Sequence, residues 1–293
     1  MIIAVTGATG FVGRHLCETA TKAGHRVIRL SRGGQGDRRW DPLKEPAPVD
    51  GVDGIVHLAG ESIADGRWSR AKMARIRESR VVGTRNLTAG IMRAEPTPRV
   101  LVSASAVGYY GDRGEENLTE ESPPGDDFLS NVCQQWEAEA RSSAIRTVLM
   151  RTAMVLGPGG ALARMLGPFR KGLGGKIASG RQWMSWIHRQ DLANLYLHAL
   201  THEELWGPMI AASPNPARNE HFTRSLAALL DRPAFFKIPR WGLRLAFGRV
   251  ASVLTASQHC RPGRALESNF RFLYPNLETA LLEAISSRRA AVA

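Results

Sequence analysis

Residues Met1 to Gly13 read MIIAVTGATGFVG, a short apolar run followed by glycines at 7, 10 and 13 and then by a helical pattern. Ile2 to Thr6 has the length and composition of a strand buried on both faces. Its end leads into the first turn of a helix, where backbone N–H groups and the helix dipole favour an anion. Each glycine has a separate reason. Gly7 permits the tight turn out of the strand, Gly10 brings the backbone close to a phosphate with no Cβ between them, and Gly13 lets the helix pack on the strand. Gly7, Ala8, Thr9, Gly10, Phe11, Val12 and Gly13 are therefore expected to cradle the pyrophosphate of a dinucleotide.

The second strand sharpens the ligand. After a helix over Phe11 to Ala23, Gly24 ends the turn and His25 to Leu30 reads as a strand closing on Ser31 and Arg32. An NAD site usually places a carboxylate here for the ribose hydroxyls, whereas a 2′-phosphate needs a cation and a hydroxyl. No acid follows until Asp37. Ser31 and Arg32 thus point to NADP(H) as the cofactor.

Alternation of strand and helix then continues as a doubly wound α/β sheet requires. Strands are expected at Ile55 to Ala59, Val100 to Ser103 and Thr147 to Arg151, with helices at Ser69 to Arg93 and Asp127 to Ser142. Beyond Gly157-Pro158-Gly159-Gly160 a looser region carries helices at Ala161 to Lys171 and Asp191 to Leu200, a Gly-rich stretch at 172–180 and a strand at Met209 to Ala212. Amphipathic helices near Trp241 to Val253 and Leu277 to Ile285 follow, separated by a basic connector, Gln258 to Arg264. The expected division is a Rossmann-like NADP-binding domain at 1–160 completed by parts of 185–215, a smaller substrate-covering region at 161–238, and a C-terminal helical segment at 239–293.

Composition narrows the function. The 293 residues carry a net charge of +12, which raises nucleic acid or an anionic surface as a partner. Only six of the 39 basic residues are lysine, however, and the arginines are spread along the chain rather than gathered with aromatics. That pattern favours an anionic cofactor and a small-molecule substrate over nucleic acid. No apolar run reaches membrane-spanning length, and the three cysteines (Cys17, Cys133, Cys260) form no pair or metal motif. A cytoplasmic protein with neither metal nor membrane partner is expected.

These motifs together resemble the extended short-chain dehydrogenase/reductases of the NAD-dependent epimerase/dehydratase superfamily, and within it the atypical epimerase-family (YfcH-like) branch. Resembling stretches run nearly end to end: Thr6 to Gly13, Ser31-Arg32, Trp40-Asp41-Pro42, His57 to Glu61, Arg67-Trp68, Ser79-Arg80, Ser103 to Gly111, Trp136-Glu137, Gly157 to Gly160, and Trp186 to His188 with Asp191-Leu192. The resemblance implies an oxidoreductase or nucleotide-sugar epimerase-like enzyme. It also implies cofactor contacts from Leu58, Ala59, Gly60, Glu61 and Arg80, and pairing as a homodimer through the long helices.

One family element is missing. The resemblance predicts a Tyr-x-x-x-Lys on the helix after the fourth strand, the tyrosine acting as general acid/base and the lysine lowering its pKa. That helix reads Phe128-Leu129-Ser130-Asn131-Val132-Cys133-Gln134-Gln135-Trp136-Glu137, and no lysine lies between Lys72 and Lys171. Ser103 and Ser105, at the expected strand end, and Tyr109, a phenol just beyond, are the remaining catalytic candidates. Glu137 reads as an acid/base only if desolvated, and otherwise as a packing and capping residue. His188 reads as a pocket or capping histidine, and Arg67, Trp68, Trp183, Met184 and Trp186 as the wall of a substrate site or as core. The alternative function is an NADP(H)-binding sensor without turnover.

Overall fold

The computed structural model describes residues 1–290. Its frame comprises β1 (Ile2–Thr6), α1 (Phe11–Lys22), β2 (Arg26–Ser31), β3 (Arg38–Arg39), β4 (Gly54–His57), α2 (Arg70–Ile91), β5 (Val100–Ala106), α3 (Phe128–Arg141), β6 (Arg146–Thr152), α4 (Gly160–Arg170), α5 (Arg189–Thr201) and β7 (Gly207–Ala211). The seven strands form one parallel sheet in the order β7-β6-β5-β4-β1-β2-β3. This is a Rossmann-like, doubly wound α/β fold, and its strand order reverses between β1 and β4. Ligands in such sheets sit at that switch point, outside the carboxyl ends of the strands.

Strand periodicity builds the two layers. Ile3 and Val5 of β1, Val100 and Val102 of β5, and Val148 and Met150 of β6 face a core shared with Leu16 of α1 and Leu192, Leu195 and Tyr196 of α5. Their neighbours Ala4, Leu101 and Leu149 point to the other face, against Leu87 and Ile91 of α2 and Ala140 of α3. Apolar residues on both sides of one strand make a buried parallel sheet the stable arrangement. Caps fix the helix starts: the Ser69 hydroxyl accepts from Lys72 N–H, and the Asp127 carboxylate accepts from Ser130 N–H.

The covering region has its own core. Leu162 and Leu166 of α4, Trp186, Phe222 and Leu226 of a helix at Asn219–Leu229, and Leu281 and Ala284 of the C-terminal helix Leu277–Ala290 pack together. The helix at Asn219–Leu229 was not anticipated, although Phe222 and Leu226 have helical spacing. Short parallel strands at Met154–Leu156 and Trp186–His188 join this region to the frame.

Three expectations shift. β5 runs on to Ala106, three residues beyond the anticipated end. The helix expected over Trp241 to Val253 is two helices, Arg240–Phe247 and Ala251–Thr255, separated at Gly248, whose φ of +62° leaves the helical region. The basic connector, Gln258 to Arg264, holds a strand at His259–Cys260 and runs into a short helix at Gly263–Glu267.

Candidate functional site

The turn from β1 into α1 is shaped by exclusion. Gly7 has φ +66°, and a Cβ there would lie 2.7 Å from the Leu58 carbonyl carbon at the end of β4. A Cβ on Gly13 would lie 2.2 Å from the Gly7 oxygen, so any side chain would push α1 off the turn. Gly10 is different: a Cβ there meets only the Gly7 oxygen, at 3.2 Å, and otherwise faces open space. Gly10 begins α1 with no side-chain cap, and the first turn carries no acid. Uncapped amides at the positive end of a helix dipole are a receptor for an anion.

A buried polar lock holds this corner against β4. Leu58 and Ala59 N–H donate to Thr6 Oγ1 at 3.1 and 3.2 Å, so the Thr6 proton goes to His57 Nδ1 at 2.7 Å. The His57 proton therefore sits on Nε2, facing Thr84 Oγ1 at 3.0 Å. Burial pulls the His57 pKa down to about 3, keeping it neutral. The lock fixes Leu58 and Ala59 across the switch point from Gly7.

Ser31 and Arg32 close β2. Ser31 Oγ donates to the Gly33 carbonyl at 2.6 Å, bending the loop back, and the exposed Arg32 side chain has no hydrogen-bond or ion-pair partner among the described residues. Asp37, the nearest acid in sequence, faces away. Its carboxylate accepts from the Arg29 backbone N–H at 2.8 Å and from the guanidinium at 3.0 and 3.2 Å. That pairing holds Asp37 below the usual carboxylate range and commits both of its oxygens to Arg29.

Further along the same edge, Glu61 accepts from the buried Lys72 at 2.7 Å, and its carbonyl accepts from Arg80 Nη1 at 3.0 Å. The Arg80 guanidinium lies 3.3 Å from where a Gly60 Cβ would stand and 5.1 Å from the Trp136 ring centroid. No carboxylate among the described residues forms an ion pair with it, and desolvation pulls its pKa down. A half-buried guanidinium whose hydrogen bonds among the described residues go to carbonyls retains donors for a phosphate or ribose.

The candidate catalytic side chains converge less than their sequence proximity implies. Ser103 is fully buried in mid-strand, paired in register with His57 and Leu149, and donates to the Ala104 carbonyl at 3.3 Å. Ser105 lies nearer the edge and donates to Glu137 Oε1 at 2.8 Å. Glu137 is the centre of a buried network: it accepts from Arg151 Nε and Nη2, each at 2.9 Å, and from Arg141 Nη2 at 3.0 Å. Arg151 in turn donates to the Tyr110 hydroxyl and the Glu120 carbonyl, both at 3.0 Å. The reading of Glu137 as an acid/base therefore gives way to an anchoring carboxylate, since every lone-pair direction is occupied by a donor. Its partner Arg151 was visible in the sequence only as a strand-end residue.

Tyr109 and Tyr110 separate cleanly. Tyr110 is buried, donates to the Thr119 carbonyl at 2.9 Å, and has its pKa pushed up by burial. Tyr109 is half-buried, its ring 3.5 Å from the Arg151 guanidinium, and its hydroxyl has no hydrogen-bond partner among the described residues. Cys133 is buried, with its thiol pKa pushed up to about 12 by burial, so it is not a thiolate at neutral pH.

The expected substrate wall divides. Trp186 is core, and His188 caps α5 by accepting from Gln190 N–H while its Nε2 meets Glu283 at 2.6 Å. Trp183 stacks on His259 at 4.1 Å, and Met184 lies in the same short strand. Trp68 and Phe128, edge to face at 5.5 Å, line a cleft of about 620 Å³ with Met73, Arg240, Arg244 and Arg249. Sequence reading missed these three arginines; their signal was the four-residue spacing of Arg240 and Arg244. No helix among the described residues is long and apolar enough to cross a membrane, and they contain no cluster of three metal-ligating side chains.

A family model described as the NAD dependent epimerase/dehydratase family matches residues 3–209, and one described as a domain of unknown function (DUF1731) matches residues 238–284. The epimerase family protein YfhF of Bacillus subtilis is 37% identical over 304 residues, covering 99% of each chain. The crystal structure of the human epimerase family protein SDR39U1 (isoform 2) with NADPH superimposes with a TM-score of 0.91 at 37% identity, covering 98% of this chain and 99% of that one. UDP-N-acetylglucosamine 4-epimerase from Bacillus cereus shares the fold, with a TM-score of 0.77 at 21% identity over 99% of each chain.

Proposed function

Because the chain belongs to the NAD dependent epimerase/dehydratase family, we propose that it binds NADP(H) along the carboxyl edge of its sheet and acts as an oxidoreductase or epimerase-like enzyme on a small-molecule substrate. The observation that carries the reading is the uncapped start of α1 at Gly10, together with an exposed Arg32 whose side chain has no hydrogen-bond or ion-pair partner among the described residues and an Asp37 turned back onto Arg29. Amides of Ala8, Thr9 and Phe11 to Gly13 bind the pyrophosphate, and Gly10, whose own N–H donates to the Gly7 carbonyl, lets it approach. Arg32 holds the 2′-phosphate, with the Ser31 hydroxyl turning from the Gly33 carbonyl to donate to it, and Leu58, Ala59, Gly60 and Glu61 line the dinucleotide with Arg80 beneath them. The NADPH carried by the human relative in its crystal supports the same choice. The chain divides accordingly into the Rossmann unit at 1–160 completed within 185–215, the covering region at 161–238, and the C-terminal segment.

Bound there, the nicotinamide supplies hydride transfer to or from a carbon bearing a hydroxyl or carbonyl. Ser105 positions the substrate: with its proton committed to Glu137, its oxygen accepts from a substrate hydroxyl. Tyr109 is the proton donor, because its phenol is the one near β5 whose hydroxyl has no partner among the described residues. Ser103, one layer deeper, supports the strand rather than the reacting atoms. Purified protein with NADPH and a panel of carbonyl compounds tests the reading by absorbance at the nicotinamide band. Turnover that falls in Tyr109→Phe supports the enzyme; tight cofactor binding with no turnover favours the sensor, which the committed Ser105 proton and the missing Tyr-x-x-x-Lys also fit.

A further inference from the structure

Resting on the reading above, which puts the reaction on the carboxyl edge of the sheet, we propose that the cleft between the start of α2 and residues 240–255 is the substrate site, and that it takes an organic anion. A phosphoryl or carboxylate group is held by Arg240, Arg244 and Arg249, and a flat apolar body lies against Trp68 and Phe128.

Four observations carry this. The cleft, of about 620 Å³, is floored by Trp68, Phe128 and Met73 and contains no carboxylate among its lining residues. Trp68 precedes α2 and Phe128 opens α3, so both lie where the helices leave the carboxyl edge, as do Gly10 and Ser105. The side chains of Arg240 and Arg244 have no hydrogen-bond or ion-pair partner among the described residues, whereas Arg164 pairs with Asp65 and Arg75 with Glu61. Finally, the 35 residues from Arg232 to Leu266 contain seven lysines and arginines and no acid.

The arrangement is built rather than incidental. Arg67 donates to the Leu245 carbonyl, and Arg249 Nη1 reaches Met73 Sδ at 3.4 Å, so the 240–255 segment is tied to the start of α2. Arg249, just past the positive φ of Gly248, lines the same cleft as Arg240 and Arg244. Like charges gathered without a counter-ion repel, and a bound anion relieves that repulsion while its oxygens match the planar guanidinium fork. Aromatic side chains at the floor supply the apolar contact that orients the rest of the ligand.

Fluorescence titration of the full chain saturated with NADP⁺ tests the proposal with three coumarins: 4-methylumbelliferyl phosphate, 7-methoxycoumarin-4-acetic acid and the uncharged 7-methoxy-4-methylcoumarin. The expected result is binding of one or both anions at least about tenfold tighter than the neutral compound. In R240S/R244S that preference falls to within about twofold, while cofactor affinity and thermal midpoint stay as in the parent. If the double variant melts lower, R240Q and R244Q are read singly in the same titration. Equal binding of all three coumarins, or an anion preference that survives both substitutions, overturns the assignment. Repeating the titration without NADP⁺ separates the two ideas, because a failure of cofactor binding leaves the arginine-dependent preference still measurable.

Discussion

Replacing Glu137 with Gln keeps the shape of the side chain and removes its charge from the centre of the Ser105–Glu137–Arg151 network. Arg151 is only 2% exposed and Glu137 is fully buried, so the guanidinium cannot recover its lost partner by turning to water. It retains the Tyr110 hydroxyl, the Glu120 carbonyl and the Tyr109 ring, none of them charged. Breaking a buried ion pair from one side costs about 3–5 kcal/mol. With an unfolding entropy of about 2.1 cal/mol/K per residue, a chain of 293 residues loses about 5–8 °C in Tm for that change. Thermal unfolding followed by circular dichroism reads it directly, and E137L/R151M, which removes both charges, is expected to recover most of the loss. An E137Q midpoint equal to that of the parent would refute the view that this carboxylate is an anchor, and would return Glu137 to the list of acid/base candidates.

Other outcomes follow from the same geometry. His57 is buried neutral, with a folded pKa of about 3 against an ordinary 6.5, so the unfolded chain binds a proton that the folded chain refuses. Stability from this group is complete above pH 6.5 and is lost as pH falls toward 3, by about 2 kcal/mol at pH 5; unfolding measured across that range should show a shallower acid slope in His57→Asn, and an identical slope would place the acid sensitivity elsewhere. Gly10→Val should abolish NADP binding in calorimetry while leaving the fold intact, because its side chain occupies the open space before α1; undiminished binding would mean that the turn does not cradle a phosphate. Ser105→Ala should slow turnover and leave cofactor affinity within about twofold, and an unchanged rate would remove Ser105 from the reacting centre.

How much was legible in the chain follows from which forces are local. The β1–α1–β2 unit was readable because its glycines, apolar run and helical spacing lie within thirty residues and each constrains its neighbour. β5 was cut short because Ser103-Ala104-Ser105-Ala106 lacks the branched and aromatic residues that mark a strand; pairing with Met150, Arg151 and Thr152 carries the strand through them. The amphipathic pattern from Trp241 to Val253 runs unbroken through Gly248, since such a pattern does not say whether a glycine will keep helical φ. Glu137 and Arg151 were both noticed, but they sit on different elements and only the packing of α3 over β6 brings them to 2.9 Å. The arginine cleft was hidden for the same reason: Trp68, Phe128 and Arg244 are far apart in sequence, and the carboxyl edge of the sheet is what gathers them.

Selection of the phosphorylated dinucleotide rests on the β1–α1 corner and the guanidinium of Arg32. Isothermal titration of the purified chain with NADP⁺ and NAD⁺, in parallel with Arg32→Asp, measures it most directly. Binding of NADP⁺ at least about tenfold tighter than NAD⁺, with that margin erased by the substitution, is the predicted result. Heat from neither dinucleotide, or equal losses for both in the variant, would contradict it.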